Sequence, residues 1–87
     1  MMTNEPMSKI FVTRNTVYGV RDQRIVAVRR RGESQWLESH RALGMLVVSD
    51  PKLVEVGESL RLAGRDGFVT TSIIVDVMRG TVTSAAA

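Results

Sequence analysis

The chain has 87 residues, enough for one domain but not two, and 44% of them are hydrophobic, a share typical of globular proteins. It contains no cysteine, which excludes disulfides and zinc–thiolate sites. The formal net charge is +3, and residues 9–41 hold eight Lys/Arg against three Asp/Glu. This uneven distribution favours an acidic partner.

No segment resembles a membrane span or a leader. Apolar runs such as residues 45–48 and 73–75 fall far short of the roughly 20 residues that cross a bilayer. Residues 1–8 lack the apolar core of a signal peptide. We therefore expect a soluble cytoplasmic protein without membrane contact. Residues 1–8 and 81–87 have no periodic pattern and are predicted to be a flexible arm and a flexible tail around one β-rich domain, 9–80.

The first half of this domain favours strands. Residues 10–12 and 16–20 are rich in β-branched and aromatic types, with a bend or bulge at Asn15. The polar residues 21–24 favour a hairpin turn, after which residues 24–30 alternate and end before a glycine. The pattern thus predicts three consecutive antiparallel strands.

Residues 34–43 allow two interpretations. Four of them recur at helical spacing: Trp36, Leu37, His40 and Leu43. Ser34 suits an N-cap, and Gly44 suits the left-handed position that ends a helix. A short helix and a packed irregular loop both remain open for this segment.

The second half predicts two short strands, at 45–48 and 53–56, separated by a turn at 49–52. A hairpin follows, with strands at 59–62 and 68–78 joined by a loop at 64–67. Ile73, Val75 and Val77 would share one face. Apolar residues on both faces near Ile73 indicate burial on both sides or a partner chain.

Five or six short strands in about 70 residues predict a mostly β fold, a small antiparallel β-barrel or sandwich with one helix at 34–43 as an option. Closing the sheet would remove exposed edges. Phe11 and Phe68 fall in strands and are expected in the core.

Three segments carry a resemblance: residues 13–18 (TRNTVY), 56–60 (VGESL) and 70–77 (TTSIIVDV). They are similar to segments of small uncharacterised β-rich proteins of actinobacteria and their phages. In that group the first segment reads Thr-x-Asn-Ser-x-Tyr, so Thr16 departs from it, and Ile73 stands where proline is common. The resemblance covers the two ends of the domain. It implies a β-rich fold and a phage setting, and it implies no activity.

No motif predicts catalysis, a metal or a cofactor. Ser39-His40 lacks the strained nucleophile turn and the orienting carboxylate of a catalytic triad. The glycines at 64 and 67 lie between two strands, which indicates a hairpin turn instead of a phosphate loop. Asp66 and Asp76 are ten residues apart and are predicted to be surface charges. We therefore expect a protein that is not an enzyme and needs no cofactor.

Consecutive arginines are the sharpest feature of the sequence. They favour a non-enzymatic protein-interaction module, and in a phage setting a modulator of a host factor, with self-association left open. The alternative is nucleic-acid binding, in which the guanidinium groups grip phosphates while Trp36 and Tyr18 stack on bases. Trp36 would either cap the core or anchor an interface. The predicted contact residues for both functions are Arg24, Arg29, Arg30, Arg31 and Trp36.

Overall fold

A computed structural model describes residues 8–50 and 53–80; apart from Ser8, the predicted arm and tail lie outside the described residues. Every pair of neighbouring strands is antiparallel, and the last strand pairs with the first, so the sheet closes into a barrel. This confirms the predicted mostly β fold of five or six antiparallel strands, and of the two predicted architectures it is the barrel and not the sandwich. The strands are β1 (Ser8–Thr13), β2 (Thr16–Arg21), β3 (Arg24–Arg30), β4 (Leu46–Val47), β5 (Ser59–Gly64) and β6 (Gly67–Gly80).

Tight hairpins connect β2 to β3 and β5 to β6, as the polar and glycine-containing segments predict. In the first, Arg21 pairs with Arg24, and the two residues between them have φ values of 53° and 64°. Positive φ at both central positions matches the right-handed twist of the flanking strands. In the second, Gly64 pairs with Gly67.

The 14-residue strand β6 closes the barrel. Its first half pairs with β5 and its second half with β1, and the register shifts once in each half. Each shift places one extra residue on β6, and such bulges bend a strand. They also break the side-chain alternation: Thr71 and Ile74 are buried and Val77 packs against the core, so the inward positions are three residues apart instead of two. The prediction that Ile73, Val75 and Val77 share one face is therefore wrong, because Val77 packs against the barrel interior while the other two are exposed.

Two apolar clusters hold the sheet together, one on each side of it. The barrel interior contains Phe11, Tyr18, Val20, Ile25, Val28, Ala42, Val47, Val54, Leu60, Leu62 and Ile74. The second cluster lies on the outer side of β1–β3 and contains Ile10, Val12, Val17 and Ala27, with Val26 and Trp36 packed against it. Full burial of one such large side chain contributes about 1.5–3 kcal/mol, so the small barrel depends on both clusters.

The segment 34–43 is a packed loop, and the helical interpretation is wrong. The Leu37 amide donates to the Val28 carbonyl at 2.8 Å, and the Gly44 amide donates to the Ile25 carbonyl at 2.9 Å. These bonds hold the loop along the open edge of β3, where backbone groups would otherwise lack partners. The spacing of apolar residues arises because the loop has one buried side, not because it winds into a helix.

Two further expectations fail in the second half. Residues 53–56 form no strand: the Leu53 amide donates to the Asp50 carbonyl in a turn at 2.9 Å, and Val54 alone of these residues enters the core. The expected core residue Phe68 lies on the outside of β6 with 64% of its surface exposed. Its neighbour Val69 takes the inward position instead.

Candidate interaction surfaces

The structure separates the predicted contact residues into two places. Arg24 begins β3 and Arg30 ends it. Six residues of strand at about 3.3 Å each put them about 20 Å apart. Arg24 therefore does not belong to one patch with the three consecutive arginines.

The far end of β3 gathers a group that we call the basic end: Arg14, Arg30 and Arg31. The Arg31 amide donates to the Asn15 carbonyl at 2.9 Å, and Arg30 pairs with Thr16. These contacts bring the exposed Arg14 of the β1–β2 turn beside the end of β3. None of the three side chains forms a hydrogen bond or an ion pair with another described residue. With respect to residues 8–50 and 53–80, their guanidinium groups are available to an anionic partner.

Arg29 and Trp36 are partly buried and contact each other. The Arg29 guanidinium carbon lies 5.2 Å from the centroid of the Trp36 ring, and its Nη1 donates to the Glu33 carbonyl at 2.6 Å. The indole is half-buried against the outer apolar cluster. Cation–π contact and packing together fasten the long loop to β3. These two predicted contact residues therefore support the structure.

The basic end offers no aromatic platform among the residues that the structure describes. Tyr18 lies inside the barrel, and burial raises the pKa of its phenol while a hydrogen bond with Thr16 partly offsets that rise. Trp36 carries Arg29 over its ring. The base stacking expected for a nucleic-acid site is thus not provided by either residue.

An exposed apolar surface, which the sequence analysis did not identify, lies on the outside of β4, β5 and β6. Leu46 pairs with Ala63, which pairs with Phe68, so the three side chains form one row across the sheet. Next to this row the Val48 amide donates to the Arg61 carbonyl at 2.8 Å, and Ile73 lies opposite Ser59 further along. We define the apolar face as Leu46, Val48, Ala63, Phe68 and Ile73.

One signal in the sequence pointed to this face: the two-sided apolar pattern around Ile73, for which a partner chain was one reading. The position of Phe68 gave no such signal, because its exposure depends on the register of β6. The Arg61 guanidinium carbon lies 4.9 Å from the centroid of the Phe68 ring. The face thus combines apolar area with arginine, a composition enriched at protein interfaces.

An open groove of about 690 Å³ adjoins the Leu46–Phe68 row. It lies between the loop that ends at Met45 and the β5–β6 hairpin. The Arg24 Nη1 donates to the Gly44 carbonyl at 2.8 Å, which fixes one guanidinium at its rim. The full set of lining residues is Arg24, Arg41, Leu43, Gly44, Met45, Leu46, Ala63, Gly64, Arg65, Asp66, Gly67, Phe68 and Val69.

His40 forms a hydrogen bond within its own turn. Its Nδ1 accepts a hydrogen bond from the Ala42 amide at 3.0 Å, and burial, together with the charge of Arg41, lowers the pKa of the imidazole. The hydrogen bond with the Ala42 amide shapes the turn before β4. Among residues 8–50 and 53–80, no group of three or more His, Asp or Glu side chains could hold a metal ion.

The described part of the chain contains no helix long and apolar enough to cross a membrane. Comparisons with protein-family models, curated proteins and solved structures found no match. The function is therefore argued from the basic end, the apolar face and the groove.

Proposed function

We propose that this protein is a non-enzymatic protein-interaction module that docks through its apolar face. The observation that carries the proposal is the exposed row Leu46–Ala63–Phe68, continued by Val48 and Ile73. The four large side chains of this face are between 43% and 64% exposed. Grouped exposed apolar side chains on a small protein mark interaction sites, here with Arg61 and Thr70 between the row and Ile73.

Charge indicates the kind of partner. Arg24, Arg61 and Arg65 flank the Leu46–Phe68 row, whereas Glu58 and Asp76 lie toward the Ile73 end. A second copy related by a two-fold axis through the row would bring arginine against arginine, which is unfavourable. A different protein with acidic side chains around an apolar patch complements this part of the face. The sequence resemblance adds the hypothesis that such a partner is the host factor of a phage.

The experiment places a photo-cross-linking amino acid, p-benzoylphenylalanine, at Ile73 in the cells that naturally produce the protein. We expect one discrete adduct with another protein, and we expect Phe68→Ser combined with Leu46→Ser to abolish it. All three positions are exposed, so the substitutions leave the core intact. The same amino acid at Arg30, on the basic end, is the control position.

Three outcomes contradict the proposal. They are the absence of an adduct at position 73, an adduct between two copies of the chain, and an adduct that the Leu46 and Phe68 substitutions leave unchanged. Equal protein adducts at positions 73 and 30 would also show that the apolar face has no special role.

A second candidate function is nucleic-acid binding at the basic end. It is favoured by one observation, the three guanidinium groups of Arg14, Arg30 and Arg31 that lack partners among the described residues and lie together at one end of the barrel. Guanidinium groups bind phosphates in bidentate geometry. A cross-link to nucleic acid from position 30 would support this candidate.

A further inference from the structure

The floor of the groove is apolar and adaptable. Leu43 and Met45 are partly buried in it, and Leu46 and Phe68 complete it. A Cβ atom at position 64 would lie only 2.7 Å from Met45 Cε, so Gly64 leaves room for this methionine. Methionine side chains repack easily around different apolar groups. The floor thus suits a large aliphatic or aromatic side chain of a partner.

The rim of the groove is basic. Arg24 is fixed by its bond to the Gly44 carbonyl, and Arg41 and Arg65 are exposed without hydrogen bonds or ion pairs to other described residues. Asp66 is the one acidic residue among the described residues that line the groove. Three guanidinium groups against one carboxylate leave positive charge to be neutralised. Carboxylates fit guanidinium groups in paired hydrogen bonds.

Building on the proposed function, we infer that the groove is the anchor site for an acidic segment of the partner protein. A large apolar side chain of that segment fills the space between Met45 and Phe68. Neighbouring Asp or Glu carboxylates pair with Arg24, Arg41 and Arg65. The groove volume of about 690 Å³ lies within the range of about 300–1,000 Å³ that is typical of ligand pockets.

A peptide fits this groove better than a nucleic acid does. Phe68 is the one aromatic residue among the described residues that line the groove, and Arg61 lies over its ring, so successive bases would have no series of rings to stack on. An apolar centre with a polar rim is the usual arrangement of protein interfaces.

The test uses the full chain and a random 12-residue peptide library displayed on phage. We expect the enriched peptides to carry a large apolar residue flanked by Asp or Glu. Synthetic versions of them, labelled with fluorescein, are then titrated by fluorescence anisotropy. Arg41→Glu combined with Arg65→Glu should weaken their binding about 10- to 100-fold, because hydrogen bonds between ionised groups are lost.

The matched control is Arg14→Glu combined with Arg30→Glu at the basic end. Each reversal removes two units of charge, so both double variants carry −1 instead of +3. The control should bind the peptides within about twofold to threefold of the wild type. Arg41→Gln with Arg65→Gln is the milder variant if the reversal impairs folding, as checked by circular dichroism.

The inference is overturned if no peptide is enriched, if the enriched peptides lack acidic residues, or if both double variants lose binding equally. It is also overturned if sedimentation shows that the wild type is a dimer and that the Arg41→Glu and Arg65→Glu double variant is a monomer. The cross-link at Ile73 is scored separately. If the protein adduct persists and the peptide test fails, the anchor site in the groove is rejected and docking through the apolar face is retained. If the adduct is absent, the proposed function itself is rejected.

Discussion

Gln23 holds a backbone conformation that L-residues rarely adopt. Its φ is 64°, and its carbonyl accepts the Val47 amide at 2.7 Å, so the turn and the start of β4 depend on this geometry. The left-handed region costs an L-residue about 1–2 kcal/mol, while glycine adopts it freely but loses about 0.5–1 kcal/mol more entropy on folding. Gln23→Gly should therefore raise the free energy of unfolding by about 0.5–1 kcal/mol, measured by urea denaturation.

The control for this substitution is Gln35→Gly, an exposed loop position that has no positive φ. There glycine gains nothing in the folded state and should lower stability slightly. If Gln23→Gly destabilises as much as Gln35→Gly, the turn carries no strain. Asp22 shares the left-handed conformation, but aspartate tolerates it better because its short side chain can bond to the local backbone.

Single arginines in the consecutive run have different roles, and sequence alone could not separate them. Arg29 stacks on Trp36 and bonds to the Glu33 carbonyl, whereas Arg30 and Arg31 extend into solvent. The difference depends on where the loop 31–45 packs against β3. The sequence of the three consecutive arginines does not indicate this position. Binding experiments on the basic end should therefore leave Arg29 unchanged.

Among the strands, β6 gives the sharpest contrast between neighbouring positions. Ile74 is fully buried in the barrel, and Ile73 is 58% exposed on the apolar face. Ile74→Ala should lower the free energy of unfolding by about 2–5 kcal/mol through lost burial and a cavity. Ile73→Ala should change it by no more than about 0.5 kcal/mol. Urea denaturation of the two variants checks the register, and similar losses at both positions would contradict it.

The strands could be predicted, and so could the inward Leu60 and Leu62 of β5, but the inward face of β6 could not. Local β-propensity, apolar runs and turn residues located all six strands, β4 within the predicted 45–48 among them, together with the hairpins at 21–24 and 64–67. The bulges on β6 and the register shift between β2 and β3 depend on how the sheet closes, a long-range condition that is absent from local alternation. The apolar run at 53–56 has the local composition of a strand, but it forms none. Its contribution to the core is the single side chain of Val54.

At the level of the whole molecule, barrel closure assembles the surfaces. The groove joins Arg24 from β3, Arg41 from the loop and Arg65 from the last hairpin, residues separated by up to 41 positions in the chain. The apolar row likewise joins three strands. The basic half of the sequence suggested an acidic partner, which stays a hypothesis. It could not show that the arginines divide between two ends of the barrel.

The two basic regions can be compared directly in their response to nucleic acid. Because the proposed function is protein interaction, we expect only weak, salt-sensitive binding of labelled single- and double-stranded oligonucleotides, measured by anisotropy across a salt series. Arg14, Arg30 and Arg31 could contact at most three phosphates, and each contact with duplex DNA contributes about 0.9 to the salt slope. Replacing all three with glutamine should change the slope no more than replacing Arg24, Arg41 and Arg65, which removes the same charge. A loss of about 2.7 units for the basic end alone, with tight binding by the wild type, would establish the second candidate function instead.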